Sequence, residues 1–210
     1  MYVKLPKGFD KSKTYPLVLG LHGYGDNAEN YATLWDAREM ETSFIYVAME
    51  APYAFSLGKD IGYSWFLLMD HEKYPKEVQK AGEMTVMNVL EGLKLIKSEY
   101  KVGNVYLTGF SQGAGLTFMT GLKNPELFKA IIPFGGWLDT DVVTEEDLKG
   151  AKDLPVLIVH GNQDTMVEFK SGKEAEEVLK KHGYKVELFE FDGGHVLPKE
   201  GLAKLVEMVK

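Results

Sequence analysis

Three side-chain types that together make an acyl-transfer centre follow one another along this chain: a serine, an aspartate and a histidine. Ser111 lies in Gly109-Phe110-Ser111-Gln112-Gly113, Asp164 closes His160-Gly161-Asn162-Gln163-Asp164, and His195 follows Gly193-Gly194. A serine hydroxyl alone is a weak nucleophile. It needs a nearby base such as imidazole, and the imidazole needs a carboxylate to fix its tautomer and stabilise the imidazolium it becomes. Gly-x-Ser-x-Gly is the pattern of a sharp strand-to-helix turn, where glycines remove the Cβ atoms that would clash around an exposed serine. Glycines flank many ordinary turns, and most loop histidines and aspartates are surface residues. The weight therefore rests on the three groups occurring together on suitable elements.

Those elements can be read from periodicity. Val105 to Phe110 is a short run of β-branched, leucine and aromatic residues, and Gln112 onward carries Ala114, Leu116, Phe118 and Met119 as a helix would, so Ser111 falls at the junction. Further strands are expected at Tyr2 to Leu5, Leu17 to Leu21, Phe44 to Ala48, Ala130 to Phe134, Pro155 to Val159 and Val186 to Phe191. Near-continuous apolar runs of this kind suit strands buried on both faces of a parallel sheet. Helical stripes lie between them, among them Val86, Leu90, Leu93 and Ile96, and a closing helix presents Leu202, Leu205, Val206 and Val209. Alternating strands and helices predict a mostly parallel sheet covered on both sides, with Ser111, Asp164 and His195 at the carboxyl ends of three strands. Asp139 to Leu154 is too short to hold a large lid domain.

The same logic assigns supporting residues. The run Leu17 to Leu21 delivers His22-Gly23-Tyr24-Gly25-Asp26, which is either a tight turn or an oxyanion-hole loop in which the Tyr24 N–H joins that of Gln112. In the second reading His22 is structural. Tyr53 to Lys76 is expected to be a long aromatic-rich loop, with Trp65, Phe66 and Leu67, together with Trp137, lining an apolar substrate pocket; packing as a satellite of the core is the alternative. His71 reads as a surface residue and His182 as a helix C-terminal histidine. Asp153 is a poorer acid than Asp164 because it sits at the wrong end of its strand. Asp192 is so near His195 in sequence that the turn would have to fold back.

Composition narrows the classes. With 210 residues, a single domain spanning 1–210 is expected. A net charge of −7 argues against an electrostatic footprint for nucleic acid or an anionic membrane, and the acyl-transfer residues make a small-molecule ester the expected partner. Cysteine is absent, which removes disulfides and thiolate chemistry, and the five histidines lack metal-ligand spacing, so no metal or other cofactor is expected. Met1 leads into Tyr-Val-Lys-Leu-Pro rather than an apolar segment, so no leader or stable membrane insertion is expected. The compartment would be cytoplasmic for a full-length chain and extracellular for a domain of a longer precursor.

From about Tyr15 to the C-terminus, the motifs His22-Gly-Tyr-Gly-Asp, Gly-Phe-Ser111-Gln-Gly-Ala, His160-Gly-Asn-Gln-Asp164-x-x-Val167 and Gly-Gly-His195 resemble the phospholipase/carboxylesterase family of α/β-hydrolases, which includes acyl-protein-thioesterase-like enzymes. The resemblance implies an α/β-hydrolase fold, a Ser111, Asp164 and His195 triad, and oxyanion donors at Tyr24 and Gln112. It also implies a serine carboxylesterase; the missing lid and the bulky aromatic wall predict short-to-medium acyl esters. Ser64-Trp65-Phe66 resembles the family's Trp-aromatic-Asp segment, with Leu67 in place of the common aspartate. The opening Tyr2 to Phe9 and the run Leu127 to Gly136 are similar to secreted feruloyl and polyhydroxyalkanoate-depolymerase esterases, so these chemistries and thioester hydrolysis stand as alternatives. A peptidase of this fold generally carries a propeller or cap, and a non-catalytic hydrolase-fold binding module usually lacks a triad residue.

Overall fold

The apolar runs form strands, and they do so side by side. A computed structural model of the chain describes residues 1–36, 40–66, 73, 75–150 and 152–209. In chain order the strands of the main sheet are β1 (Tyr2–Lys4), β2 (Tyr15–Leu21), β3 (Ile45–Met49), β6 (Val102–Phe110), β7 (Ala130–Phe134), β8 (Val156–Gly161) and β9 (Val186–Phe191). A separate hairpin is made by β4 (Tyr53–Leu57) and β5 (Asp60–Ser64). The helices are α1 (Ala28–Ala32), α2 (Pro75–Glu99), α3 (Gln112–Lys123), α4 (Glu145–Gly150), α5 (Phe169–Lys181) and α6 (Lys199–Met208).

The main sheet has the order β1-β3-β2-β6-β7-β8-β9. Only β1 is antiparallel to its neighbour, pairing Tyr2 with Ala48 and Lys4 with Tyr46. All other pairings are parallel. Parallel neighbours require a crossover, and the helices supply it. Alternation along β2 then divides the core. Leu17, Leu19 and Leu21 face a cluster that includes Val86, Val89, Leu93 and Ile96 of α2, Leu116 and Phe118 of α3, and Leu179 of α5. Val18 faces the opposite cluster with Trp35, Tyr46, Ile132, Leu202 and Leu205. Both faces of each central strand are thereby dry, which is why these strands read as unbroken apolar runs.

The expected loop from Tyr53 to Lys76 is corrected. Its first half is the hairpin β4–β5, turned by Gly58-Lys59 with Gly58 at φ 67°, and α2 already begins at Pro75. Two-residue hairpin turns need positive φ, which glycine adopts without a Cβ penalty. Its centre, Leu67 to His71, lies outside the described residues. Between β7 and β8 the one helix among the described residues is α4.

Candidate active site

Ser111 stands at the end of β6 and caps α3 with φ 55° and ψ −116°, and it alone among the described non-glycine residues has positive φ. Such a backbone costs about 1–3 kcal/mol and persists only where the surroundings impose it. Here the Ser111 N–H donates to Phe134 O at 2.9 Å, and Ser111 O accepts from Ala114 N at 2.9 Å. The flanking glycines are required by close approach. A Cβ on Gly109 would overlap Gly113 O, and one on Gly113 would overlap the carbonyl oxygens of Leu21 and His22. The turn is thus pressed against the end of β2, with Ser111 half-buried.

The candidate acid and base, Asp164 and His195, follow the ends of β8 and β9. Asp164, only 6 % exposed, receives the N–H groups of Met166 and Val167 on Oδ1 at 2.9 and 3.0 Å. Its Oδ2 lies 2.6 Å from His195 Nδ1. Both oxygens of this carboxylate are engaged, which fixes its orientation. The two loops are also joined by backbone: Asn162 N donates to Phe191 O and Gln163 N to Gly193 O, both at 2.9 Å. Asp192 remains exposed and accepts from Gln163 Nε2, apart from the His195 ring nitrogen that Asp164 holds.

Phe110, which precedes Ser111 in the chain, packs on the histidine. Its ring lies 4.6 Å from the His195 ring, and Gly135 passes beside Phe110, His195 Nδ1 and Asp164 Oδ2. Gly136 then runs against the carbonyl of Ser111. No hydrogen bond joins the Ser111 hydroxyl to His195 in this structure, as is common before a substrate closes the site. Neither Phe110 nor Gly135 was expected to touch the histidine. The double glycine after β7 was the available signal, whereas the facing of the Phe110 ring depends on how distant strands stack.

The loop after β2 passes the same point. A Cβ on Gly23 would meet Ser111 Cβ at 3.6 Å, which places Gly23, the residue before Tyr24, beside the serine. Gly25 N donates to Tyr63 O at 2.9 Å, and the Tyr24 ring stacks on Phe55 at 4.7 Å, so the hairpin β4–β5 braces this loop. No acceptor for the Tyr24 N–H is found among the described residues, and the Gln112 N–H opens α3, where backbone donors lack intrahelical partners. His22 is fully buried, as its structural role requires: Nδ1 donates to Gly23 O at 2.7 Å, and Nε2 accepts from Ala51 N at 3.1 Å. Burial holds its imidazole below the usual histidine range, against the opposing pull of Asp26 and Glu50.

The expected pocket residues divide. Trp65 is corrected: it is 0 % exposed, so it cannot line an open pocket. Its Nε1 donates to His22 O at 2.8 Å, its backbone N–H donates to Gln112 Oε1 at 2.8 Å, and its ring packs 5.1 Å from that of His22. Phe66 and Trp137 are half-buried, with Trp137 against Gly115 in the first turn of α3; Leu67 lies outside the described residues. His182 is the C-cap of α5 and pairs with Glu145 at 3.0 Å, which raises its pKa.

Residues 9–210 match the family described as phospholipase/carboxylesterase. A probable carboxylesterase of Oryza sativa subsp. japonica is 29 % identical, over 99 % of this chain and 82 % of its own length. Acyl-protein thioesterase 1 of Kluyveromyces lactis is 26 % identical, over 81 % of this chain and 80 % of its own. The crystal structure of esterase PE8 superposes with a TM-score of 0.72 at 30 % identity, covering 98 % of this chain and 95 % of that one. The parallel sheet with helices on both faces is thus the α/β-hydrolase fold, and the relatives are hydrolases of the carboxylesterase and acyl-protein-thioesterase type. The chain belongs to the phospholipase/carboxylesterase family of α/β-hydrolases.

Proposed function

We propose that this chain is a serine carboxylesterase acting as one catalytic domain on small acyl esters through a covalent acyl-enzyme. The observation that carries the reading is the Asp164–His195 hydrogen bond of 2.6 Å beside a serine held at φ 55° on the strand-to-helix turn. In this mechanism Ser111 Oγ attacks the carbonyl carbon as its proton passes to His195 Nε2. Asp164 keeps the other ring nitrogen protonated and stabilises the imidazolium. The carbonyl π electrons move onto oxygen, and the N–H groups of Tyr24 and Gln112 receive that oxyanion. Collapse expels the alcohol, which leaves with the proton from His195. Water, deprotonated by the same imidazole, then releases the acid and restores Ser111.

The acyl group lies against apolar surface near the serine, for which Phe66 and Trp137 are the described candidates. Each CH₂ buried there is worth about 0.8 kcal/mol, so kcat/KM should grow a few-fold per carbon until the wall is reached, with esters up to about eight carbons favoured. A rate series over p-nitrophenyl esters from C2 to C16 tests this. Fastest turnover at C16 would refute the short pocket, and no turnover at any length would refute the ester reading. A matched acyl thioester belongs in the same series, because a relative named as an acyl-protein thioesterase shares the fold and the same tetrahedral chemistry serves both.

A further inference from the structure

The two oxyanion donors proposed above belong to different parts of the chain, and a buried polar bridge spans them. The Gln112 carboxamide reaches away from the reacting centre: Oε1 accepts the Trp65 N–H at 2.8 Å, and Nε2 donates to Ser64 Oγ at 3.0 Å. Trp65 in turn donates its indole N–H to His22 O at 2.8 Å, and His22 is separated from Tyr24 by Gly23 alone. The bridge has its own anchors. Ser64 Oγ donates to Phe66 O at 2.7 Å, and Thr85 Oγ1 of α2 donates to Trp65 O at 2.8 Å. Gln112, Ser64, Trp65, Thr85 and His22 are all buried.

We infer that Trp65 and the Gln112 side chain are positioning residues that set the separation between the Tyr24 and Gln112 N–H groups. The argument is geometric. The place of a backbone donor depends on what holds its backbone, and a side chain tied into a buried bridge is one such hold. On one side the start of α3 is pressed on Leu21 O and His22 O through Gly113. That contact limits approach but not separation. The chain Gln112–Trp65–His22 pulls the same two segments together, and the hydrogen bonds are strong in a dry interior because their loss leaves unpaired groups there. Contact on one side and tether on the other leave the donor gap one value. An oxyanion hole depends on such fixed donors, since those that must move into place lose their advantage over water. Trp65 touches neither the serine nor a substrate in this scheme; it acts through His22.

The inference rests on the proposed serine mechanism, and the test separates the two. A trifluoromethyl ketone is the probe: Ser111 Oγ bonds to its carbonyl carbon, the hydroxyl proton goes to His195, and the resulting oxyanion occupies the hole. Trp65→Phe keeps a ring and drops the N–H, while Gln112→Met keeps the chain length and drops both polar ends. Removing an oxyanion donor outright costs about 10²–10³ in kcat, so displacing one should cost about ten- to a hundredfold. The expected result is that loss in kcat with KM within twofold, and a ketone Ki raised by the same factor as kcat/KM falls. Ser64→Ala should show the same coupled change at a few-fold, and it carries the test if the larger substitutions do not fold. Folded variants with unchanged kcat, or with reduced kcat and an unmoved Ki, overturn the inference alone. A wild-type enzyme that forms no Ser111 adduct overturns the serine mechanism and this inference together.

Discussion

His195 Nδ1 and Asp164 Oδ2 are 2.6 Å apart, and the second oxygen of the same carboxylate is fixed by the N–H groups of Met166 and Val167. Replacing this carboxylate by an amide of equal shape changes the tautomer without emptying the space. Asp164→Asn should lower kcat by about 10⁴ with little change in KM. Asp192→Asn, which alters only the exposed partner of Gln163, should stay within twofold. Steady-state kinetics on a soluble ester checks both, and a reversed ranking would move the acid to Asp192.

Ser111→Ala removes one hydroxyl from a half-buried residue. Ester hydrolysis should fall to the level sustained by binding and the oxyanion donors, about 10³ above water, with the thermal midpoint kept. Fluorophosphonate labelling followed by peptide mapping should find Ser111 in the wild type and nothing in the variant.

Gly113→Ala sets a methyl against the Leu21 and His22 carbonyls, which are backbone and cannot turn aside. Overpacking of this sort costs about 1–3 kcal/mol. Chemical denaturation should show that loss, and kcat should fall with it because α3 must back away from β2. A variant as stable and active as the wild type would show the contact to be loose.

Trp137→Ala should flatten the dependence of kcat/KM on acyl length, removing part of the roughly 0.8 kcal/mol gained per buried CH₂. Comparing C2, C4 and C8 esters reads the effect directly. An unchanged slope would place the acyl group elsewhere.

Two histidines give stability opposite dependences on pH. Burial lowers the His22 pKa, so the unfolded chain, titrating near about 6.5, takes up a proton that the folded chain refuses. Stability should therefore decline as pH falls below about 6.5 until it reaches the folded value. Glu145 raises the pKa of His182, whose contribution is present below about 6.5 and is lost as pH rises through the folded value. The carboxylates lowered by hydrogen bonding, Asp10, Glu145 and Asp147, act only at more acid pH. Thermal midpoints at pH 5 and 7 should converge in His22→Asn relative to the wild type. An unaltered difference would show that other groups govern the acid limb.

The central strands of the main sheet were legible because burial on both faces leaves a continuous apolar run, as in Leu17 to Leu21 and Ala130 to Phe134. The serine turn and its partners were legible because glycines must sit where backbones nearly touch. The hairpin was harder to see. Its Tyr53-Ala-Phe-Ser-Leu and Asp60-Ile-Gly-Tyr-Ser strands are largely exposed or half-exposed, so neither shows a clean apolar face, and Gly58-Lys59 is the remaining cue. Trp65 was misjudged for a different reason. An indole in an irregular stretch looks the same whether it meets solvent, substrate or core, and the outcome depends on His22, Thr85 and Gln112, all distant in sequence.

The edge position of β9 adds a thermodynamic consequence. Among the described residues it pairs with β8 alone, yet the loop at its end carries His195. Partial opening of that one edge would displace His195, the proposed base, while β2, β6 and β7 stayed paired, and edges open at lower free energy than sheet centres. Amide exchange in β9 should accordingly be faster than in β6, and catalysis should fade in denaturant before the core melts.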